Sequence, residues 1–166
     1  MTVAATGVRR RSAREAAGAV PDPEIPVLTI EDLGILRDVT VEDTGLVRVT
    51  ITPTYSGCPA MDAIRADVTA ALRAEGYDDV EVDLVLAPAW STDWMSEDGR
   101  RKLEEYGVAP PAPRAAGEPV PVTLTLRCPR CGSPDTRELS RFGSTACKSL
   151  WACNACREPF DHFKNH

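Results

Sequence analysis

An α+β fold, a small helix-covered sheet followed by a separate cysteine-built ribbon, is predicted by three features of this 166-residue sequence. Val47, Val49 and Ile51 alternate with Arg48, Thr50 and Thr52, the period-2 pattern of a half-buried strand. Met61, Ile64, Val68 and Leu72 recur at helical spacing immediately afterwards. Two Cys-x-x-Cys units, Cys128/Cys131 and Cys153/Cys156, then stand 21 residues apart near the end of the chain. A mass of 18.0 kDa accommodates one ordinary domain and a small appendage. The expected class is therefore α+β, a small helix-covered sheet domain followed by a C-terminal zinc ribbon.

Residues 1–19 read as a flexible arm with a short helix over 12–19. The main α+β domain is expected over residues 20–108. Asp22-Pro23-Glu24-Ile25-Pro26 forms a rigid turn, because each proline pushes its predecessor toward an extended conformation. Residues 35–41 and 46–53 flank Glu42-Asp43-Thr44-Gly45 as a β-hairpin with glycine at the turn exit. A helix over 59–75 follows, with Gly76 as its stop signal. Val80, Val82, Leu84 and Leu86 alternate with Glu81 and Asp83 as a third half-buried strand. A last helix, from Glu97 to Tyr106, is capped by Ser96 and ends at Gly107. Residues 109–121 hold five prolines and a glycine, which makes them a linker. The ribbon occupies 122–166, with short strands expected over 122–127, 136–140 and 149–152.

Charge is divided unevenly, at +3 over residues 1–20, −12 over 21–113 and +3 over 114–166. The acidic body repels phosphate backbones, so nucleic-acid binding is disfavoured. Four zinc-bound thiolates lower the tail to about +1, a weak basis for holding DNA or RNA. No apolar run approaches the roughly 20 residues of a spanning helix, and the N-terminal arginines follow rather than precede a mild apolar stretch, unlike a signal peptide. The expectation is a cytoplasmic, reduced protein, in which Cys-x-x-Cys pairs serve as metal ligands or redox sites rather than disulfides.

Cys58 stands apart from the other five cysteines, at the junction of the second strand and the best helix. As an N-cap or near-cap residue its thiolate would gain from the helix N-terminus, with Thr54 and Ser56 supplying nearby hydroxyls. The alternative is a free cysteine that packs as a small apolar group. Asp22 and Glu24 are candidates for the same neighbourhood, or simply turn-making carboxylates. The only histidines, His162 and His166, lie at the extreme end, so histidine-assisted nucleophilic catalysis is not expected. Cys128, Cys131, Cys153 and Cys156 have the spacing of a tetrahedral zinc site, with four-thiolate iron as the competing occupant. Cys147 is surplus to four ligands, either a packed thiol or a second functional sulfur.

Asp22-Pro23-Glu24-Ile25-Pro26, Asp32-Leu33-Gly34-Ile35, the run from Thr52 to Gly57-Cys58-Pro59, Pro88-Ala89-Trp90-Ser91-Thr92-Asp93-Trp94-Met95 and Phe142-Gly143-Ser144-Thr145-Ala146-Cys147-Lys148 resemble the PaaD family of phenylacetate-degradation proteins. The resemblance runs from about residue 20 to the end and leaves out the Arg-rich arm. The first half is similar to the SufT-like domains associated with iron-sulfur cluster assembly, whose Gly-Cys-Pro cysteine falls on Cys58. The resemblance implies a non-enzymatic accessory component of phenylacetyl-CoA epoxidase. Its oxygenase and reductase would be the partners, and Cys58 would act in maturing an iron-sulfur or diiron centre. Cys58 and Cys147 are the candidate ligands of a transient cluster or iron, shared across a homodimer or with a client. A zinc-ribbon adaptor that only docks those components is the alternative.

Overall fold

In the computed structural model, residues 2–112 and 126–166 are described, with side chains from Arg10 onward. The chain forms two compact units, Met1–Trp90 and Ser91–His166.

The first unit contains α1 (Thr2–Gly18), β1 (Leu36–Val41), β2 (Val47–Ile51), α2 (Ala60–Ala74) and β3 (Val80–Leu84). Its sheet has the order β1-β2-β3. β1 and β2 are antiparallel, and β2 and β3 are parallel across the α2 connection. The hairpin turn is closed by Gly45, at φ 93°, where Gly45 N–H donates to Glu42 O at 2.9 Å. Val47, Val49 and Ile51 are fully buried, as their alternation predicts, and Ile64, Val68 and Leu72 of α2 join them. On the opposite face Arg48 pairs with Glu81, Asp83 and Glu42 at 2.7, 3.3 and 3.5 Å, half-exposed contacts of small energetic value. Helix α2 ends as the sequence anticipates: Gly76 N–H donates to Arg73 O and Tyr77 N–H to Leu72 O, a Schellman closure with Gly76 at φ 89°.

Three expectations for this unit are corrected. The arm is helical from Thr2, and Ala13 and Ala17 are fully buried, because the small face of α1 packs on β1 and α2. The third strand stops at Leu84, and of its apolar positions only Val82 is buried. Leu84 and Leu86 stay exposed because β3 is an edge strand whose far end extends past its cover. The main domain does not reach residue 108, since α3 (Glu97–Tyr106) belongs to the second compact unit.

That second unit adds β4 (Val108–Ala109), β5 (Thr136–Ser140), β6 (Lys148–Cys153) and β7 (Pro159–Phe163), in the order β4-β7-β6-β5. β4 pairs in parallel with β7, which ties the chain after α3 to the ribbon and makes Ala109 a strand residue rather than linker. Ser96 caps α3 through Gly99 N–H at 2.9 Å, and Gly107 at φ 91° ends it. Residues 113–121 of the expected linker and 122–125 of the expected first ribbon strand lie outside the described residues. Arg127, at the end of that expected strand, is not in a strand. β7 escaped the sequence reading because Pro159, Asp161 and His162 interrupt its apolar residues.

Within this sheet Trp151 Nε1–H donates to Ser149 Oγ at 3.0 Å, and Ser149 Oγ lies 3.3 Å from His162 Nδ1. Burial, with a smaller contribution from Lys164, pulls the His162 pKa down to about 4. The unfolded chain therefore binds a proton near pH 6.5 that the folded chain refuses until about pH 4. Stability should be untouched above pH 6.5 and fall as pH is lowered, with the loss complete, at ~3 kcal/mol, below pH 4. Thermal melts between about pH 5 and 7 should give a shallower slope for His162→Gln than for the wild type; equal slopes would refute this assignment.

Candidate metal-handling sites

Cys58 is placed by the short path from β2 to α2. The backbone turns at Gly57, φ 80°, and Cys58 N–H donates to Tyr55 O at 3.3 Å while Cys58 O accepts from Met61 N–H at 3.3 Å. Pro59 is the N-cap of α2, so Cys58 stands one residue before the cap. It is only 8% exposed. Burial raises its thiol pKa above the ordinary value; the Ala60 backbone opposes the rise, the Glu24 carboxylate adds to it, Tyr55 opposes it and Asp22 adds to it. The expected stabilisation of its thiolate by the helix N-terminus is thus corrected: desolvation and two carboxylates outweigh the backbone N–H at the helix start.

Both readings of Asp22 apply. It is 6% exposed, and its Oδ1 accepts from Glu24 N–H at 2.9 Å and Ile25 N–H at 2.8 Å, which builds the turn. The same turn brings Asp22 and Glu24 within electrostatic reach of Cys58. The side chain that bonds Cys58 is Tyr55, not the Thr54 or Ser56 hydroxyl that the sequence singles out. Tyr55 lies in the same Thr52–Pro59 run, three residues before Cys58 and between the two singled-out hydroxyls.

A raised pKa gives a direct consequence. Alkylation of Cys58 by iodoacetamide should be slow at neutral pH and still accelerate above the range of a free thiol, because only the thiolate reacts. Peptide mapping against pH measures this, and a rate that levels off at or below the midpoint of a free cysteine would contradict it.

The ribbon cysteines form the other site. Sγ atoms of Cys128, Cys131, Cys153 and Cys156 all lie within 4.8 Å of one another, with Cys128 to Cys156 at 3.8 Å and Cys131 to Cys153 at 3.5 Å. Zinc-sulfur bonds of about 2.3 Å at tetrahedral angles require sulfur-sulfur edges of ~3.8 Å. The two knuckles are built alike. Cys128 N–H donates to Ser133 O and Cys153 N–H to Glu158 O, five residues ahead in each case. Gly132 at φ 74° follows the first knuckle and Arg157 at φ 64° follows the second, so a left-handed residue closes both. Cys156 N–H reaches Cys153 Sγ at 3.5 Å and, as the largest contribution, draws the Cys153 pKa down to about 7. Cys156 is pushed up to about 12: the Glu158 backbone favours its thiolate, but burial and the sulfurs of Cys153, Cys131 and Cys128 resist another negative charge. Sulfurs this close need a cation to be ionised together, and the four residues fit a tetrahedral thiophilic metal.

Among the described residues these four cysteines are the only group of three or more metal-binding side chains. Cys58 has no such company. Cys147 is 3% exposed, with its sulfur 3.0 Å from Thr145 Oγ1, outside the tetrad and in the other compact unit from Cys58.

Fold and sites define a two-part protein, a helix-covered α+β unit with one isolated cysteine joined to a four-cysteine ribbon. Residues 10–84 match the family described as iron-sulfur cluster assembly protein, and residues 113–164 the PaaD zinc beta ribbon domain. The first match begins inside α1, so the Arg-rich segment is not wholly outside the resemblance. The chain is 52% identical over 145 residues, 87% of its length, to 86% of an Escherichia coli (strain K12) protein provisionally named as the D component of 1,2-phenylacetyl-CoA epoxidase. It is 42% identical over 85 residues, 51% of this chain and 80% of the relative, to an Fe-S protein maturation auxiliary factor of Porphyromonas gingivalis. Among solved structures, the domain of unknown function DUF59 from Bacillus anthracis superposes with a TM-score of 0.57 at 29% identity, covering 61% of this chain and 97% of that one. The chain belongs to the PaaD family, that of the D component of phenylacetyl-CoA epoxidase. Among the described residues no helix is long and apolar enough to cross a membrane.

Proposed function

We propose that this chain is a non-catalytic maturation factor of the phenylacetyl-CoA epoxidase system, assisting assembly of an iron-sulfur or diiron centre through Cys58, with a structural zinc ion held by Cys128, Cys131, Cys153 and Cys156. The observation that carries the reading is the setting of Cys58: a nearly buried thiol, beside Asp22 and Glu24, in the domain that matches the assembly family. Those carboxylates disfavour a bare thiolate but favour a cation, so an arriving iron ion reverses the sign of their effect and displaces the thiol proton. One thiolate without companion ligands leaves most coordination positions to a donor, a client or a second copy, which suits transfer better than storage.

Iron is the cargo here and zinc the resident metal. Anaerobic reconstitution followed by Mössbauer spectroscopy should show iron bound through Cys58 and its loss in Cys58→Ala; equal iron in both would contradict the role. Cys147 is the second candidate ligand, and its burial predicts that Cys147→Ala keeps most of the iron. The adaptor reading is favoured by one observation, an exposed aromatic groove on the ribbon. An adaptor leaves the epoxidase fully metallated and slows only electron delivery.

A further inference from the structure

The loop between β5 and β6 is fixed by more interactions than its length requires. Gly143 N–H donates to Lys148 O at 2.8 Å and Lys148 N–H to Thr145 O at 3.1 Å, which closes the turn. Ser144 Oγ donates to Asp161 Oδ2 at 2.9 Å, and the buried Lys148 ammonium pairs with the same oxygen at 3.7 Å. A side chain at Gly143 would meet Asp161 Oδ1 at 2.6 Å, so glycine lets the loop lie against this carboxylate. Lys164 donates to Arg141 O at 3.2 Å and sits 4.8 Å above the Phe142 ring. The product of this fastening is one side chain held outward: Phe142 is 67% exposed.

Phe142 forms one wall of a groove of about 540 Å³ within the second unit, and Tyr106, itself 56% exposed, lines it as well. Val108, Leu150 and Phe160 contribute apolar surface. Of the two charged side chains that line it, Asp161 is paired with Lys148 and accepts a hydrogen bond from Ser144, whereas Arg130 is exposed and makes no ion pair among the described residues. Lys164 adds a second cation at the Phe142 wall. Exposed, rigidly supported aromatics beside an arginine with no carboxylate partner among the described residues have the composition of an interaction hot spot, in which aromatic anchors supply the energy and charge selects the partner.

We propose that this groove is a docking site for an acidic, apolar-anchored segment of a partner protein. The proposal rests on the maturation reading for the partner's identity, since a factor that loads a client must hold it. An acidic segment satisfies Arg130 and Lys164, and an apolar anchor covers Phe142 and Tyr106. A basic segment would meet two like charges.

Biolayer interferometry of the full chain against the purified oxygenase and the purified reductase of the epoxidase tests it. The wild type should bind one of them, more weakly as salt rises. Phe142→Ala should weaken binding at least tenfold, and Arg130→Glu should weaken it and flatten the salt dependence, both with unchanged zinc content. Cys58→Ala should bind like the wild type. The proposal is overturned if the wild type binds neither component, or if Phe142→Ala and Arg130→Glu both bind normally. It is overturned as well if sedimentation shows a dimer that Phe142→Ala dissolves, since a second copy then fills the groove. Tighter binding after residues 113–121 are replaced by Gly and Ser would also overturn it, because the chain's own linker would then be the occupant. If binding is lost in Phe142→Ala while the client keeps its metal without this chain, docking stands and maturation fails. The converse result separates them the other way.

Discussion

Cys128→Ser is expected to abolish stoichiometric zinc binding and unfold the ribbon while the first unit keeps its own melting transition. The sheet of the second unit has a small core, in which Ala109, Leu126, Trp151 and Phe160 cluster directly with Cys128 and Cys153. So little apolar surface cannot offset the entropy of ordering the strands, and the metal must supply the difference. Structural zinc sites contribute roughly 10–16 kcal/mol in apparent terms, comparable to the whole stability of an ordinary domain. Serine at position 128, which is 2% exposed, removes a thiolate and buries a hydroxyl in its place. Near-ultraviolet circular dichroism and metal analysis read both effects, and a strong chelator should reproduce them in the wild type. A ribbon that keeps its native signal without metal would refute the structural role of the site.

Cys58→Ala should do the opposite, leaving the fold nearly intact and removing the function. The side chain is small and lies at the end of the sheet, where its loss costs about 1 kcal/mol, a shift of ~4–8 °C in the melting transition of the first unit. Neither the β2-to-α2 backbone bonds nor the Asp22 turn depends on the sulfur. Iron delivery should nonetheless fall to the level found without the chain, because no other described side chain near Cys58 completes a group of metal ligands. A larger loss of stability would mean that Cys58 is chiefly a packing residue.

Elements whose information is local were legible in the sequence. The β2 alternation, the α2 periodicity, the stops at Gly76 and Gly107 and the two knuckles all appear where the residues place them. What escaped depended on distant partners. β4 exists through pairing with β7 residues more than 50 positions away, and α3 joins the ribbon through β4 for the same reason; β7 pairs with the nearby β6, but Pro159, Asp161 and His162 hide its pattern. Leu84 and Leu86 carry a strand pattern, but the edge position of β3 decides that they remain uncovered. The electrostatics of Cys58 depend on the same kind of distant information. A helix start, an adjacent proline and the candidate carboxylates Asp22 and Glu24 are visible in the sequence, whereas the burial that contributes most to the raised thiol pKa is not.

The most direct measurement is the iron content of the epoxidase oxygenase and reductase, purified from cells that carry the wild-type chain, Cys58→Ala or no chain at all. The account predicts that one component is iron-poor without the chain, filled by the wild type and equally poor with Cys58→Ala. Full iron content in all three, with only electron delivery impaired when the chain is missing, would contradict it and leave the adaptor role.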